Sequence, residues 1–210
     1  MNSIEWCDVD NLAVVARTSN MPLPHSIQPL YDEVEEYVKQ RINYYKFLMY
    51  LTSRRQPIVV LELGVEYGIA SACMCMAAST YGGRVIGIDL NWHHIPGSII
   101  PELCHNYTFI HGNSVESVDL VRKIATTYGP IGLVFQDSSH HYDASVAEWN
   151  AYAPMLDKRA IWVCDDILEA FIEPGVDRCS MVDYWRELPH ERKLYDGLHT
   201  GNKIGVMLCP

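Results

Sequence analysis

The sequence predicts an α/β fold: a mostly parallel seven-stranded sheet, helices on both faces, and an antiparallel hairpin at the C-terminus. Three observations predict it. Short apolar runs rich in β-branched residues recur from Pro57 onward, helical stretches separate them, and the tail "KLYDGLHTGNKIGVMLCP" reads as two strands around a turn near Thr200 to Asn202. Near-continuous apolar strands alternating with helices imply a parallel sheet buried on both sides.

Before Pro57, Leu30, Val34, Tyr37, Val38, Ile42, Tyr45 and Leu48 fall near helical spacing, which predicts one or two helices. The first strand is "IVVLELG" (58–64), followed by a helix over about 68–80. "RVIGIDL" (84–90) repeats the strand pattern, and "YTFIHGN" (107–113) is a weaker copy. A helix over about 115–128 leads to "IGLVFQD" (131–137), and another over about 143–156 leads to "AIWVCDD" (160–166). No repeat or low-complexity tract interrupts this order.

The composition narrows the function. The 210 residues suit one core, with 49% hydrophobic and 20% charged residues, an ordinary globular balance. A net charge of −10 argues against a nucleic-acid groove, because phosphates are held mainly by Lys and Arg. The seven cysteines are irregularly spaced, and Cys73 and Cys75 are too close for a redox or zinc pair, so reduced thiols are expected. "MNSIEWCDVD" is acidic where a signal peptide is basic, and no apolar run is long enough for a membrane span. A cytoplasmic protein with a small-molecule partner is the expectation.

Ligands of such sheets bind beyond the carboxyl ends of the strands. Here those ends carry Glu62, Asp89, Asn113, Asp137 and the pair Asp165 and Asp166. "ELGVEYGIAS" puts Gly64 and Gly68 between strand and helix, where glycine allows a tight turn and close approach of a ligand. Asp89 follows Gly68 by 21 positions, close to the spacing at which an acid binds ribose hydroxyls. Glu66 stands where a middle glycine is expected, so the turn is acidic and suits a cationic ligand rather than a pyrophosphate. S-adenosylmethionine, with its sulfonium and ammonium groups, is such a ligand, and Asn113 and Ser114 would lie near its adenine. The plainer alternative is that the glycines only cap a strand and pack a helix.

Asp137, Asp165 and Asp166 end neighbouring strands, where their carboxylates would repel one another. A hard divalent cation such as Mg²⁺ removes the conflict. His140, three residues after Asp137, can reach the same crevice as a proton acceptor. His141 points elsewhere, since adjacent helical residues do not share a face. Asp137, Ser138 and Ser139 can equally be read as a helix cap, and Asp165 and Asp166 as a solvated turn.

In this order and spacing, "ELGVEYGIAS", "VIGIDL", "HGNS", "FQDSSHHYDASVAEWNAYAPML" and "WVCDDI" resemble the class I S-adenosylmethionine-dependent methyltransferases. The likeness is nearest to the metal-dependent O-methyltransferases of the macrocin and mycinamicin type and the related cephalosporin-hydroxylase-like group, and covers about residues 58–170. It implies a Rossmann-like sandwich over 57–210, with 1–56 as a helical substrate lid or oligomer contact. It implies cofactor contacts from Glu62, Gly64, Glu66, Tyr67, Gly68, Ser71, Asp89, Asn113, Ser114 and Asp137. Asp137, Asp165 and Asp166 become the Mg²⁺ ligands and His140 the general base, a position held by lysine in catechol O-methyltransferases. The family's habit also implies a homo-oligomer.

Two departures stand out: the replaced middle glycine, and an N-terminal segment shorter than that of the macrolide-sugar enzymes. "NWHHIPGS" resembles a loop of the cephalosporin-hydroxylase-like group, but His93 and His94 form no two-histidine, one-carboxylate iron pattern. The expected activity is methyl transfer to a small-molecule hydroxyl, in a sugar, natural product or catechol-like diol. Phe171, Tyr184 and Trp185 are candidates for the substrate wall or for the core. The rival readings are a cephalosporin-hydroxylase-like oxygenase and a catalytically silent module that keeps the cofactor pocket.

Overall fold

In the computed structural model, residues 4–91, 105–167, 181–198 and 203–210 are described. The expected turn at 200–202, His93, His94 and Phe171 lie outside the described residues. The strands are β1 (Val59–Leu63), β2 (Arg84–Asp89), β3 (Tyr107–His111), β4 (Ile131–Gln136), β5 (Leu156–Cys164), β6 (Arg192–Tyr195) and β7 (Ile204–Leu208). They form one sheet in the order β3-β2-β1-β4-β5-β7-β6. The pairs from β3 to β5 are parallel, whereas β7 runs antiparallel to both β5 and β6. The chain reverses its direction of travel across the sheet between β1 and β4, the place where such sheets open a crevice.

Alternate strand residues feed two cores. Val60, Val85, Leu133, Phe135, Ile161 and Val163 face one side, while Leu61, Ile86, Val134, Trp162 and Met207 face the other. The first side is covered by α5 (Ile69–Ser79) and by the N-terminal helices α1 (Trp6–Thr18) and α4 (Ile42–Arg55), with the short α2 (Gln28–Glu33) and α3 (Glu36–Lys39) between them. Phe47, Leu48 and Leu51 of α4 are fully buried beside Cys73 of α5 and Phe135 of β4, so the segment before Pro57 shares the main core. The second side is covered by α6 (Val118–Tyr128), α7 (Tyr142–Tyr152) and α8 (Met181–Glu187). Tyr184 and Trp185 are buried in that second core.

Two boundaries differ from expectation. The helix expected to reach 156 stops at Tyr152, because Pro154 lacks an N–H and forces the tighter turn Ala153–Met155. β5 therefore starts at Leu156 rather than 160, with a register shift against β4 and Arg159 at a φ of 70°. The N-terminal segment holds four helices rather than one or two, and α1 has no counterpart in the expected elements. Among the described residues no helix is long and apolar enough to cross a membrane.

Candidate active site

A cleft of about 530 Å³ opens at the carboxyl ends of β1, β2 and β4. Gly64, Glu66, Asp89, Asn113, Ser114, Asp137 and His140 line it, as do Arg41 and Glu148. A small recess beside it is bounded by Glu62, Tyr67, Arg41 and Tyr44 and shares Gly64, Glu66 and Asp137 with the cleft. Six of the ten expected cofactor residues therefore meet in one cleft, and Glu62 and Tyr67 in the adjoining recess.

The first turn is built by close backbone approach. Gly64 has a φ of 87°, and a Cβ placed there would lie 2.0 Å from the carbonyl oxygen of Asp137, so only glycine lets the β1 and β4 ends touch. Glu66 adopts a φ of 48°, a left-handed position that glycine would fill without strain. Asp89 fixes this turn: its Oδ2 accepts from the N–H groups of Val65 (2.7 Å) and Glu66 (3.0 Å), and its Oδ1 from Asn91 (2.8 Å). Asn113 Oδ1 likewise accepts from the N–H groups of Val115 (2.9 Å) and Glu116 (3.2 Å), which holds the loop after β3.

Gly68 and Ser71 stand behind the recess rather than in it. Gly68 starts α5 at a φ of 74°, and the buried Ser71 hydroxyl donates to Glu62 Oε2. Glu62 itself is fully buried, and its Oε1 has no hydrogen-bond partner among the described residues. Burial pushes its carboxyl well above the usual range, and the charges of Asp137 and Asp89 add to this against the hydrogen bond from Ser71.

The second cluster is set by adjacent strand ends. The N–H of Asp137 donates to the carbonyl of Leu63 (2.8 Å) and that of Asp165 to the carbonyl of Gln136 (3.0 Å), which places the acids side by side. His140, at a φ of 57°, puts its ring between two of them, with Nε2 3.0 Å from Asp137 Oδ1 and Nδ1 3.6 Å from Asp166 Oδ2. Burial alone would lower the imidazole pKa, but the hydrogen bond to Asp137 and the charges of Asp137 and Asp166 hold it above its ordinary value. Asp165 is fully buried, and among the described residues neither of its carboxylate oxygens has a hydrogen-bond partner. Burial, then the charges of Asp137 and Asp166, push its carboxyl well above the usual range.

Among the described residues no three His, Cys, Asp or Glu side chains are gathered as a metal-holding set. The three aspartates are neighbours, but the ring of His140 stands between Asp137 and Asp166. His141 is exposed and precedes α7 as its N-cap residue.

Several site residues escaped sequence reasoning. Arg41 and Tyr44 come from the N-terminal segment: Arg41 pairs with Glu66 at 3.3 Å, and the Tyr44 hydroxyl donates to Asp137 Oδ2 at 3.3 Å. No local pattern marks either. Glu148, 2% exposed, accepts from Ser114 Oγ (2.5 Å), Gln136 Nε2 (2.7 Å) and Ser138 Oγ (2.8 Å), tying the loop after β3 to the loop after β4. No local pattern marks it, because its burial beside Tyr142 and Ser145 comes from the packing of α7.

Comparison with known proteins places this geometry. The family model described as a methyltransferase domain matches residues 61–167, about half of the chain. No curated protein matches. Among solved structures, the O-methyltransferase TomG from Streptomyces achromogenes, in complex with SAM, aligns with a TM-score of 0.67 at 14% identity over 95% of this chain and 96% of that one. CalS11, a TDP-rhamnose 3'-O-methyltransferase, aligns with a TM-score of 0.62 at 17% identity over 95% and 93%. MycE, from the mycinamycin pathway and in complex with Mg and SAH, aligns with a TM-score of 0.52 at 18% identity over 96% of this chain but 55% of its own. Likeness at these identities establishes the fold. With the family model covering the strands that build the cleft, the chain belongs to the methyltransferase domain family.

Proposed function

We propose that this methyltransferase moves a methyl group from S-adenosylmethionine to a hydroxyl of a small molecule, with His140 as the base and a hard divalent cation such as Mg²⁺ as a second cofactor. The observation that carries the reading is the pairing of a cleft whose walls suit a cationic nucleoside with a cluster of three aspartates and a histidine at its edge. The solved neighbours named for O-methylation, and the one holding Mg, support it.

The residues present suit the cation. Among the described residues Asp165 has two buried oxygens without partners, and Asp137 and Asp166 beside it would add carboxylate oxygens, so the chemistry of these residues suits a hard ion even though the three do not stand as a gathered set. When bound, such an ion acts as a Lewis acid that lowers the pKa of a hydroxyl. The protein does the rest. Asp89 and Asn113 orient the nucleoside, and Gly64 lets the methionine end approach the backbone. With Nε2 engaged by Asp137, Nδ1 of His140 is the nitrogen that receives the hydroxyl proton, and Asp166 stabilises the resulting imidazolium. Bound in the cleft, S-adenosylmethionine would supply an electrophilic methyl carbon, and its sulfur would keep the electron pair of the broken carbon–sulfur bond. Holding both reactants in line supplies much of the acceleration. The acceptor class is a sugar, natural product or catechol-like diol, and the cytoplasm is the proposed compartment.

Titration calorimetry with S-adenosylmethionine, combined with an activity screen on sugar diols and catechols with Mg²⁺ or chelator, tests the reading. Binding, transfer that needs the cation, and a loss of about 10²- to 10⁴-fold in kcat for His140→Ala are expected. Absence of cofactor binding overturns the function. Transfer undiminished in chelator removes the cation, and unchanged turnover in His140→Ala removes the base.

A further inference from the structure

The acidity of the cleft raises a question about the carboxylate of its ligand. Glu66, Asp89, Asp137 and Glu148 line the cleft, and Glu62 joins them in the recess. The methionine end of S-adenosylmethionine carries an ammonium and a carboxylate. The buried, unpartnered Oε1 of Glu62 suits the ammonium. The carboxylate would be repelled by the acids that line the cleft.

Arg41 is the one lysine or arginine among the described residues lining either space, and it lines both. Its side chain is 16% exposed and already aligned by the ion pair to Glu66. It sits immediately before α4, whose Tyr44, Tyr45, Phe47 and Leu48 are buried, so its backbone is anchored in the core. Arg41 also borders the recess with Glu62 and Tyr67, whereas Asp89 and Asn113 border the cleft alone, so the two ends of the cofactor have separate polar partners. A guanidinium keeps its charge at any working pH and offers two parallel N–H groups that match a carboxylate.

We propose that Arg41 binds the carboxylate of the cofactor's methionine end, so that the N-terminal segment completes the cofactor site. This rests on the cofactor assigned above. The competing role, in which Arg41 only balances the charges of Asp137 and Asp165, acts through charge alone, so Arg41→Lys would then keep the whole preference for a ligand with a carboxylate, and that result overturns the proposal.

The test measures binding of S-adenosylhomocysteine and of its decarboxylated analogue, which keeps the adenosine and the ammonium, to the wild-type protein, Arg41→Gln and Arg41→Lys. The wild type is expected to prefer S-adenosylhomocysteine by about 10- to 100-fold, the range of a charge-assisted hydrogen-bond pair. Arg41→Gln loses that preference, and its affinity for the analogue is unchanged or higher, because the analogue is a net cation in an acidic cleft. Arg41→Lys keeps the charge without the fork and retains part of the preference, which also answers the question should the glutamine variant fail to fold. Equal weakening of both ligands in Arg41→Gln, or of neither, overturns the proposal. A wild-type protein that binds neither ligand overturns the cofactor reading and this proposal with it.

Discussion

Glu148 shows how one side chain can hold two loops in register. Its carboxyl accepts from an amide that can only donate, Gln136 Nε2, and from two hydroxyls that can rotate, Ser114 and Ser138. Gln136 in turn accepts from Trp162 Nε1 at 3.0 Å, so the network reaches the centre of the second core. Glu148→Gln can keep its oxygen toward Gln136 while the hydroxyl of Ser114 reverses to accept. Glu148→Ala leaves the buried Gln136 amide short of an acceptor, at roughly 1–3 kcal/mol for each buried group so stranded. Denaturant unfolding should therefore place the alanine variant at least about 1 kcal/mol below the glutamine variant. At this scale the sequence reveals Asp137, His140 and Asp166 as neighbours, because strand ends and a three-residue spacing bring them together. It conceals that His140 fills the gap between the two acids, which depends on the left-handed backbone at His140.

The helices that cover the sheet are held by a few polar ties at their ends. α1 is fastened twice: Asp8 to Arg54 of α4 at 3.1 Å, and Asp10 to Lys193 and Tyr195 of β6 at 2.9 and 2.8 Å. The carboxyl of Asp8 is held below its usual range by the N–H of Glu5 and by Arg54, and that of Asp10 by Lys193 and Tyr195. A lowered folded-state pKa contributes stability above the unfolded value and loses it as pH falls through the folded one. Attachment of α1 should thus be steady at neutral pH and weaken as pH falls through about 4, where unfolded aspartate is about half protonated. Amide exchange across Trp6–Thr18, rising in that acid window ahead of exchange in β1 and β4, is the expected result; equal rise in all three elements would contradict it. α5 and the parallel strands follow from apolar runs and glycine turns in the sequence. α1 was not legible, since its buried residues Val9, Ala13 and Ala16 are small and its partners lie far along the chain.

The whole molecule depends on two cores that meet at the sheet. Among the described residues Trp162 is the largest fully buried side chain; it packs edge-on to Trp149 at 4.9 Å and donates to Gln136. Trp162→Ala should cost about 3–5 kcal/mol and lower Tm by roughly 6–20 °C, checked by thermal unfolding. Arg55, 1% exposed at the end of α4, pairs with Asp157 at 2.6 Å and donates to the carbonyl of Arg159 at 3.0 Å, joining the N-terminal layer to β5. The sequence by itself determined the alternation of strand and helix, the parallel sheet with its antiparallel tail, and the polar strand ends, because these follow from local periodicity and from the backbone needs of glycine and proline. Only the tertiary structure decided that the N-terminal helices belong to the core, that Arg41 enters the cleft and Tyr44 the recess beside it, and that Glu148 ties its two loops. Those contacts join residues as far as 185 positions apart, as Asp10 and Tyr195 are, and packing rather than local pattern brings such residues together.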